Sequence, residues 1–209
     1  DRFFMEGISE ANIVGMVAGM ALEGKIPYVN TIATFLTRRC FEQVAIDLCL
    51  HNLSVRLIGN GGGMVYAPLG PTHLAIEDLA IMRALPNMTI LAPADAEEMR
   101  RLMPLTVDHP GPIYIRLAKG YDPVVTSGSV PFRIGKGQLL REGTDALIVT
   151  TGITLRSARA AAEDLANAGL NTSILHMPTL KPFDSEMLLQ AAEGVRAVVS
   201  VEEHTIIGG

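Results

Sequence analysis

Apolar residues at Ile13, Val14, Met16, Val17, Met20 and Ala21 recur at helical spacing, with Ser9 placed to cap the start and Gly24 placed to end the helix. Ile26–Asn30 reads as a short buried strand. The pattern turns helical again from Thr34 to Leu50, and Val55–Gly59 is the next strand. After the glycine-rich stretch Gly59–Gly63 and a turn, Ile76–Leu85 is amphipathic and helical. Met88–Leu91 is a strand, Asp95–Thr106 a helix and Ile113–Arg116 a strand. Strands alternating with helices at this spacing predict a parallel sheet covered on both faces.

The rhythm breaks between Gly120 and Pro131, where Asp-Pro, Ser-Gly and Val-Pro pairs mark a linker. It then restarts. Ala146–Thr151 is a strand, Thr154–Ala168 an alanine-rich helix, Thr172–His176 a strand, Asp184–Ala192 a helix and Ala197–Val201 a strand. The expectation is an α/β protein of two parallel-sheet αβα units, residues 1–122 and 132–209, joined by a linker at 123–131.

Composition narrows the partners. The 209 residues are 48% hydrophobic and 19% charged, as in a globular protein. A net charge of −5 and a pI near 5.5 offer no basic footprint for nucleic acid or an anionic membrane. No run approaches the roughly 18 apolar residues of a membrane span. Cys40 and Cys49 fit no zinc spacing and make a poor disulfide framework, so they read as thiols of a reducing, cytoplasmic protein. The chain starts at Asp1-Arg2-Phe3-Phe4 without an initiator Met and stops at Ile207-Gly208-Gly209. Both ends read as cuts through something longer.

Several polar residues fall at strand ends or helix mouths. Glu10 opens the first helix, where a carboxylate complements the positive helix end. Phe35, Arg38 and Phe41 lie three apart on the next helix, so two aromatics and a cation share part of one face; they either pack in the core or frame a flat heterocycle. Gly59–Gly63 follows a strand but lacks a P-loop lysine, and Met64 breaks the dinucleotide fingerprint. His73 sits in a turn before a helix, and Arg116 closes a strand, where ligands of parallel sheets gather. Its planar fork suits a carboxylate or phosphate. Glu202-Glu203-His204 also ends a strand, without a third ligand that would make it a metal site. No nucleophile elbow or zinc-helix motif occurs.

In order along the chain stand Gly7-Ile-Ser-Glu10, Ala33-Thr-Phe35-Leu, Gly70-Pro-Thr-His73, Arg83-Ala-Leu-Pro-Asn-Met, Pro93-Ala-Asp95-Ala-Glu-Glu and Ile115-Arg116. This series resembles the pyrimidine-binding domain of the transketolase family. Thr179-Leu-Lys-Pro-Phe-Asp and Val201-Glu-Glu-His204 resemble that family's C-terminal domain, and both domains look truncated. The resemblance implies thiamine diphosphate as cofactor. Glu10 matches the glutamate that hydrogen-bonds N1′ of the cofactor's aminopyrimidine and favours the tautomer whose 4′ nitrogen removes the thiazolium C2 proton. Phe35 matches the aromatic packed on that ring, with Arg38 and Phe41 as further lining residues. His73 matches a histidine beside the reacting carbonyl, and Arg116 the arginine that holds a sugar phosphate.

Nothing here resembles the Gly-Asp-Gly…Asn segment that holds the diphosphate through Mg2+ or Ca2+. The resemblance therefore implies a diphosphate-binding N-terminal partner, as a separate subunit or as the rest of a longer chain, and a homodimer of this chain within an α2β2 assembly. The implied reaction moves a two-carbon ketol unit from a ketose or ketose phosphate to an aldose. Leu69 replaces the aspartate that transketolases carry before the Gly-Pro-Thr-His turn, and Gly61 replaces a histidine about eight positions earlier. Both replacements point to a modified sugar as substrate. Three alternatives remain: a 2-oxoacid dehydrogenase β subunit, a deoxyxylulose-phosphate-synthase-like enzyme favoured by Arg38, and a non-catalytic regulatory or scaffolding subunit.

Overall fold

The computed structural model describes residues 2–128 and 131–209; Asp1 and, inside the expected linker, Ser129 and Val130 lie outside them. The first unit begins with α1 (Glu10–Leu22), β1 (Tyr28–Ile32) and α2 (Ala33–Thr37). It continues through α3 (Phe41–Gln43), which runs into a π-helical stretch at Val44–Leu50, then β2 (Arg56–Asn60) and α4 (Asp78–Ala84). β3 (Thr89–Leu91), α5 (Ala96–Val107) and β4 (Ile113–Arg116) complete it. The second unit holds β5 (Gln138–Arg141), β6 (Ala146–Thr150), α6 (Leu155–Asn167), β7 (Thr172–His176), β8 (Thr179–Lys181), α7 (Ser185–Ala192) and β9 (Ala197–Val201).

The first sheet runs β1-β2-β4-β3-β8, parallel except for β8, and the second runs β5-β7-β6-β9, parallel except for β5. The expected two-unit α/β fold is therefore present, with one antiparallel edge strand added to each sheet. Both additions escaped the sequence pattern. β8 is three residues long and pairs with β3, some ninety positions back, so no local alternation announces it. It also knits the units together, because a strand of the second unit closes the first unit's sheet.

Helices cover both faces of each sheet. Val14, Leu36, Val44, Leu48, Leu57 and Met82 fill one side of the first sheet, while Leu91, Leu102, Ile113, Ile115 and Phe132 fill the other. In the second unit Leu155, Ala158 and Ala162 of α6 pack on Ile148 and Ile174, and α7 packs on Leu147 and Leu175 from the far side.

Three local departures have physical causes. The first strand starts two residues later than its apolar run because Pro27 has no N–H for the ladder; its carbonyl instead accepts from Arg56 N at 2.9 Å. Ser9 occupies the cap of α1, yet its side chain makes no capping bond. The long helix expected over Thr34–Leu50 breaks after Thr37, where the Thr34 carbonyl accepts from both Arg38 N and Arg39 N and the turn widens. Phe41 therefore starts a new segment and leaves the face it would share with Phe35.

The interface between units is polar where it is most buried. Glu98 is fully buried; its Oε2 accepts from Ala94 N at 2.7 Å and meets His176 Nε2 at 2.9 Å, and its Oε1 accepts from Gln138 Nε2 at 3.1 Å. Beside it Asp95 caps α5, accepting Glu98 N at 2.9 Å, Val125 N at 2.8 Å and Thr126 N at 2.6 Å. Burial pushes this carboxyl up, but the three amides outweigh it and hold Asp95 below the usual aspartate range. A depressed carboxyl contributes stability that is present above the unfolded value and lost as pH falls through the folded one. Asp95→Ala is expected to cost about 2 kcal/mol in urea unfolding at neutral pH, a deficit that narrows in acid. Equal deficits at both pH values would show that the charge is immaterial.

Candidate active site

The carboxyl ends of β1, β2, β3 and β4 lie on one edge of the first sheet, where parallel α/β folds bind ligands. α2 starts at the residue after β1, so Phe35 is delivered directly to that edge. Glu10, the first residue of α1, reaches the same place with only 5% of its surface exposed.

A chain of contacts connects these groups. Arg39 Nη1 donates to Glu10 Oε2 at 2.8 Å, and its guanidinium carbon stands 4.0 Å from the Phe35 ring centroid. The other edge of Phe35 meets the His73 imidazole with centroids 5.2 Å apart at 67°. His73 is followed by Tyr66 at 6.4 Å, and Lys119 Nζ lies 5.8 Å from the Tyr66 ring. The structure thus brings together Glu10, Phe35 and His73, three of the residues expected from sequence.

The turn carrying His73 is braced from below. Thr34 Oγ1 donates to the Thr72 carbonyl at 3.1 Å, and Arg38 Nη2 donates to the carbonyls of Pro71 at 2.9 Å and Leu74 at 3.0 Å. Arg38 Nε also pairs with Glu77 at 3.1 Å. Arg38 therefore supports the turn and does not reach Glu10. His73 Nδ1 lies 2.9 Å from Thr72 Oγ1, which fixes the ring's orientation.

Arg116 is placed differently from a surface phosphate clamp. It is 8% exposed, its Nη2 donates to the carbonyls of Ala75 and Glu203 at 2.8 Å each, and its Nε stands 3.2 Å from Asp78. The glycine run explains itself by close approach. A Cβ at Gly61 would stand 2.0 Å from the Tyr66 ring, and φ there is +69°; at Gly62 it would stand 2.3 Å from Arg116 Nε. Side chains fill the space above this loop, so it is no phosphate cradle. Phe41, 36% exposed, opens α3 outside the cluster.

Two participants were missed in the sequence. Arg39 lies four residues after Phe35, which is one helical turn and a readable signal, but its neighbour Arg38 carries the three-residue spacing. Tyr66 has no periodic signal and is revealed only by the fold. Cys40, next to Arg39, is fully buried, and burial followed by the Glu10 charge pushes its thiol up to about 11. Cys49 is likewise free and buried, so both thiols are structural. His204 accepts from Ala80 N at 3.3 Å; among the described residues no group of three His, Cys, Asp or Glu side chains is positioned for a metal.

Fold and site together define a two-domain, mainly parallel α/β protein with a buried carboxylate beside an aromatic face at its strand ends. Residues 1–122 match the transketolase pyrimidine-binding domain and residues 135–209 the transketolase C-terminal domain, so the chain belongs to the transketolase family. A 6-deoxy-6-sulfo-D-fructose transketolase subunit from Clostridium sp. (strain MSTE9) is 39% identical over 97% of this chain, which spans 63% of that relative. One of the two subunits of an apulose-4-phosphate transketolase from Actinobacillus succinogenes is 37% identical over the whole chain, which spans 67% of it. A solved structure described as a split gene transketolase, inactive β4 tetramer, superposes with a TM-score of 0.91 at 40% identity, covering all of this chain and 67% of that one.

Proposed function

We propose that this chain is the pyrimidine-binding, C-terminal subunit of a split transketolase, transferring a two-carbon ketol unit from a ketose or ketose phosphate to an aldose. The observation that carries this reading is Glu10: a buried carboxylate at a helix mouth, facing the ring of Phe35, where a planar cation already finds both a hydrogen-bond acceptor and a π face. The aminopyrimidine of thiamine diphosphate presents the same pair of features, so the residues present fit the cofactor. When bound it would supply a nucleophilic carbon and an electron sink for the two-carbon fragment.

The chain's own residues would divide the remaining work. Glu10 would hold a proton at its Oε toward the pyrimidine ring. Phe35 would orient that ring. His73, fixed through Nδ1 by Thr72, would leave Nε2 to serve the oxygen of the reacting carbonyl. Arg38 would act indirectly by bracing the turn, and Arg116 by fixing the glycine loop and the Glu203 carbonyl around it. Phe41 would line the site from the next helical segment. The diphosphate and its Mg2+ or Ca2+ would belong to the partner subunit.

Two features support a multichain assembly. Both relatives above are themselves subunits of transketolases. α1 is apolar on its outer side too, with Gly15, Met16, Gly19 and Leu22 exposed, and a helix apolar all round asks for cover. We assign that face to a second copy of this chain within an α2β2 assembly.

An altered substrate follows from the far side of the site. Histidine cannot stand at position 61 without evicting Tyr66, and Leu69 offers no polar atom where its side chain is 57% exposed. Leu69→Asp is expected to lower KM for ordinary ketose phosphates by about fivefold, the worth of one hydrogen bond. Donor preference unchanged from wild type would remove the argument from this position.

The proposal is tested by purifying the complete protein under gentle conditions and recording native mass spectra with and without thiamine diphosphate, followed by ketol-transfer assays. A different polypeptide bound in equal number, with cofactor only in the complex and turnover of a ketose, is the expected result. Cofactor-loaded complexes that acylate a lipoyl domain instead would replace this reading with the 2-oxoacid dehydrogenase one. Absence of cofactor uptake would leave the non-catalytic reading.

A further inference from the structure

Both partners proposed for the aminopyrimidine are engaged by one side chain of the protein itself. Arg39 donates to Glu10 Oε2 and lies over the face of Phe35 at the same time. A guanidinium is planar, cationic, rimmed with N–H donors and able to stack on an aromatic ring, and a protonated aminopyrimidine has the same four properties. We infer that Arg39 is an internal stand-in for the cofactor's ring: it closes the pyrimidine seat in the unloaded chain, and its withdrawal is a step of cofactor loading. The inference rests on the reading of Glu10 and Phe35 given above.

The local structure suits this role. Without a partner Glu10 would be a buried, lone carboxylate, which is costly; Arg39 removes that cost until the cofactor arrives. Arg39 can also leave. Its side chain is 46% exposed and sits in the break between α2 and α3, whereas its neighbour Arg38 is pinned by two carbonyls and Glu77. An ion pair and a cation–π contact of such exposure are each weak. A seat closed by both lowers the apparent affinity of its ligand by about tenfold, because only the open fraction binds.

The test is calorimetric titration of thiamine diphosphate, with Mg2+ in excess, into the complete chain assembled with its diphosphate-binding partner. Wild type is compared with Arg39→Ala and Arg39→Lys. Arg39→Ala is expected to bind about tenfold more tightly. Guanidinium chloride at low millimolar concentration should compete with the cofactor in Arg39→Ala, and should have no effect in wild type beyond that of equal sodium chloride. Arg39→Lys keeps the charge but not the planar fork and is expected to fall between the two; it carries the test if the alanine variant does not assemble. Affinity unchanged or weakened in both variants, or guanidinium without effect in Arg39→Ala, would overturn the stand-in while leaving the functional reading in place. If wild type itself takes up no cofactor, the functional reading falls first and the stand-in with it.

Discussion

Glu10→Gln is expected to lower kcat for ketol transfer by about 10²- to 10⁴-fold while changing cofactor affinity far less. The carboxamide keeps the volume of the glutamate and keeps a hydrogen-bonding group at the same place, so the seat at the mouth of α1 is preserved. What it removes is a site that can exchange a proton. Because Glu10 is 5% exposed, bulk water is poorly placed to take over that exchange. Arg39 also loses its charged partner, and the stand-in contact should weaken, which if anything favours cofactor entry. Steady-state kinetics of the assembled enzyme, paired with deuterium exchange into the bound cofactor followed by NMR, separates the two effects. Slow exchange with near-normal affinity is the expected pair. A kcat within a few-fold of wild type would show that proton placement at this carboxylate is dispensable.

The parts of this architecture legible in the sequence are those specified locally. The alternation of strands and helices is written in apolar periodicity, and Glu10, Phe35 and His73 sit at helix mouths or turns that the same periodicity locates. The parts that were illegible depend on partners distant in sequence. β8 becomes a strand only because β3 offers it an edge, and the break after Thr37 follows from one carbonyl serving two amides. Arg38 and Arg39 make the point at a single step. As adjacent residues in a helical pattern they look interchangeable, yet a rotation of about 100° sends one to the turn at 71–74 and the other to the carboxylate of α1. Gly61 was legible as a departure from the family pattern, but its cause, the ring of Tyr66 five residues on, was not.

Arg116→Ala is expected to destabilise the protein by about 3–5 kcal/mol, because it strands a buried charge. Asp78 is fully buried and its Oδ2 accepts from Tyr114 Oη at 2.7 Å, while its Oδ1 has no hydrogen-bond partner among the described residues. The approach of Arg116 Nε to Asp78 at 3.2 Å is an ion pair without hydrogen-bond alignment, so its worth is mainly electrostatic. Burial pushes the Asp78 carboxyl above the ordinary aspartate range; the Arg116 charge, then the Tyr114 hydroxyl, pull it back part of the way. Removing the guanidinium raises it further. A carboxyl whose folded pKa lies above its unfolded value of about 3.9 contributes stability that is fully present below that value and lost as pH rises through the folded one. The deficit of Arg116→Ala should therefore be larger at pH 8 than at pH 5 in urea unfolding, and Asp78→Asn should relieve part of it in the double variant. Were the arginine merely filling space, the deficit would be the same at both pH values and the asparagine would bring no relief. The expected pH dependence would establish that this strand-end arginine works from inside, tying the carbonyls of Ala75 and Glu203 to β4 and holding the loops around His73 in place.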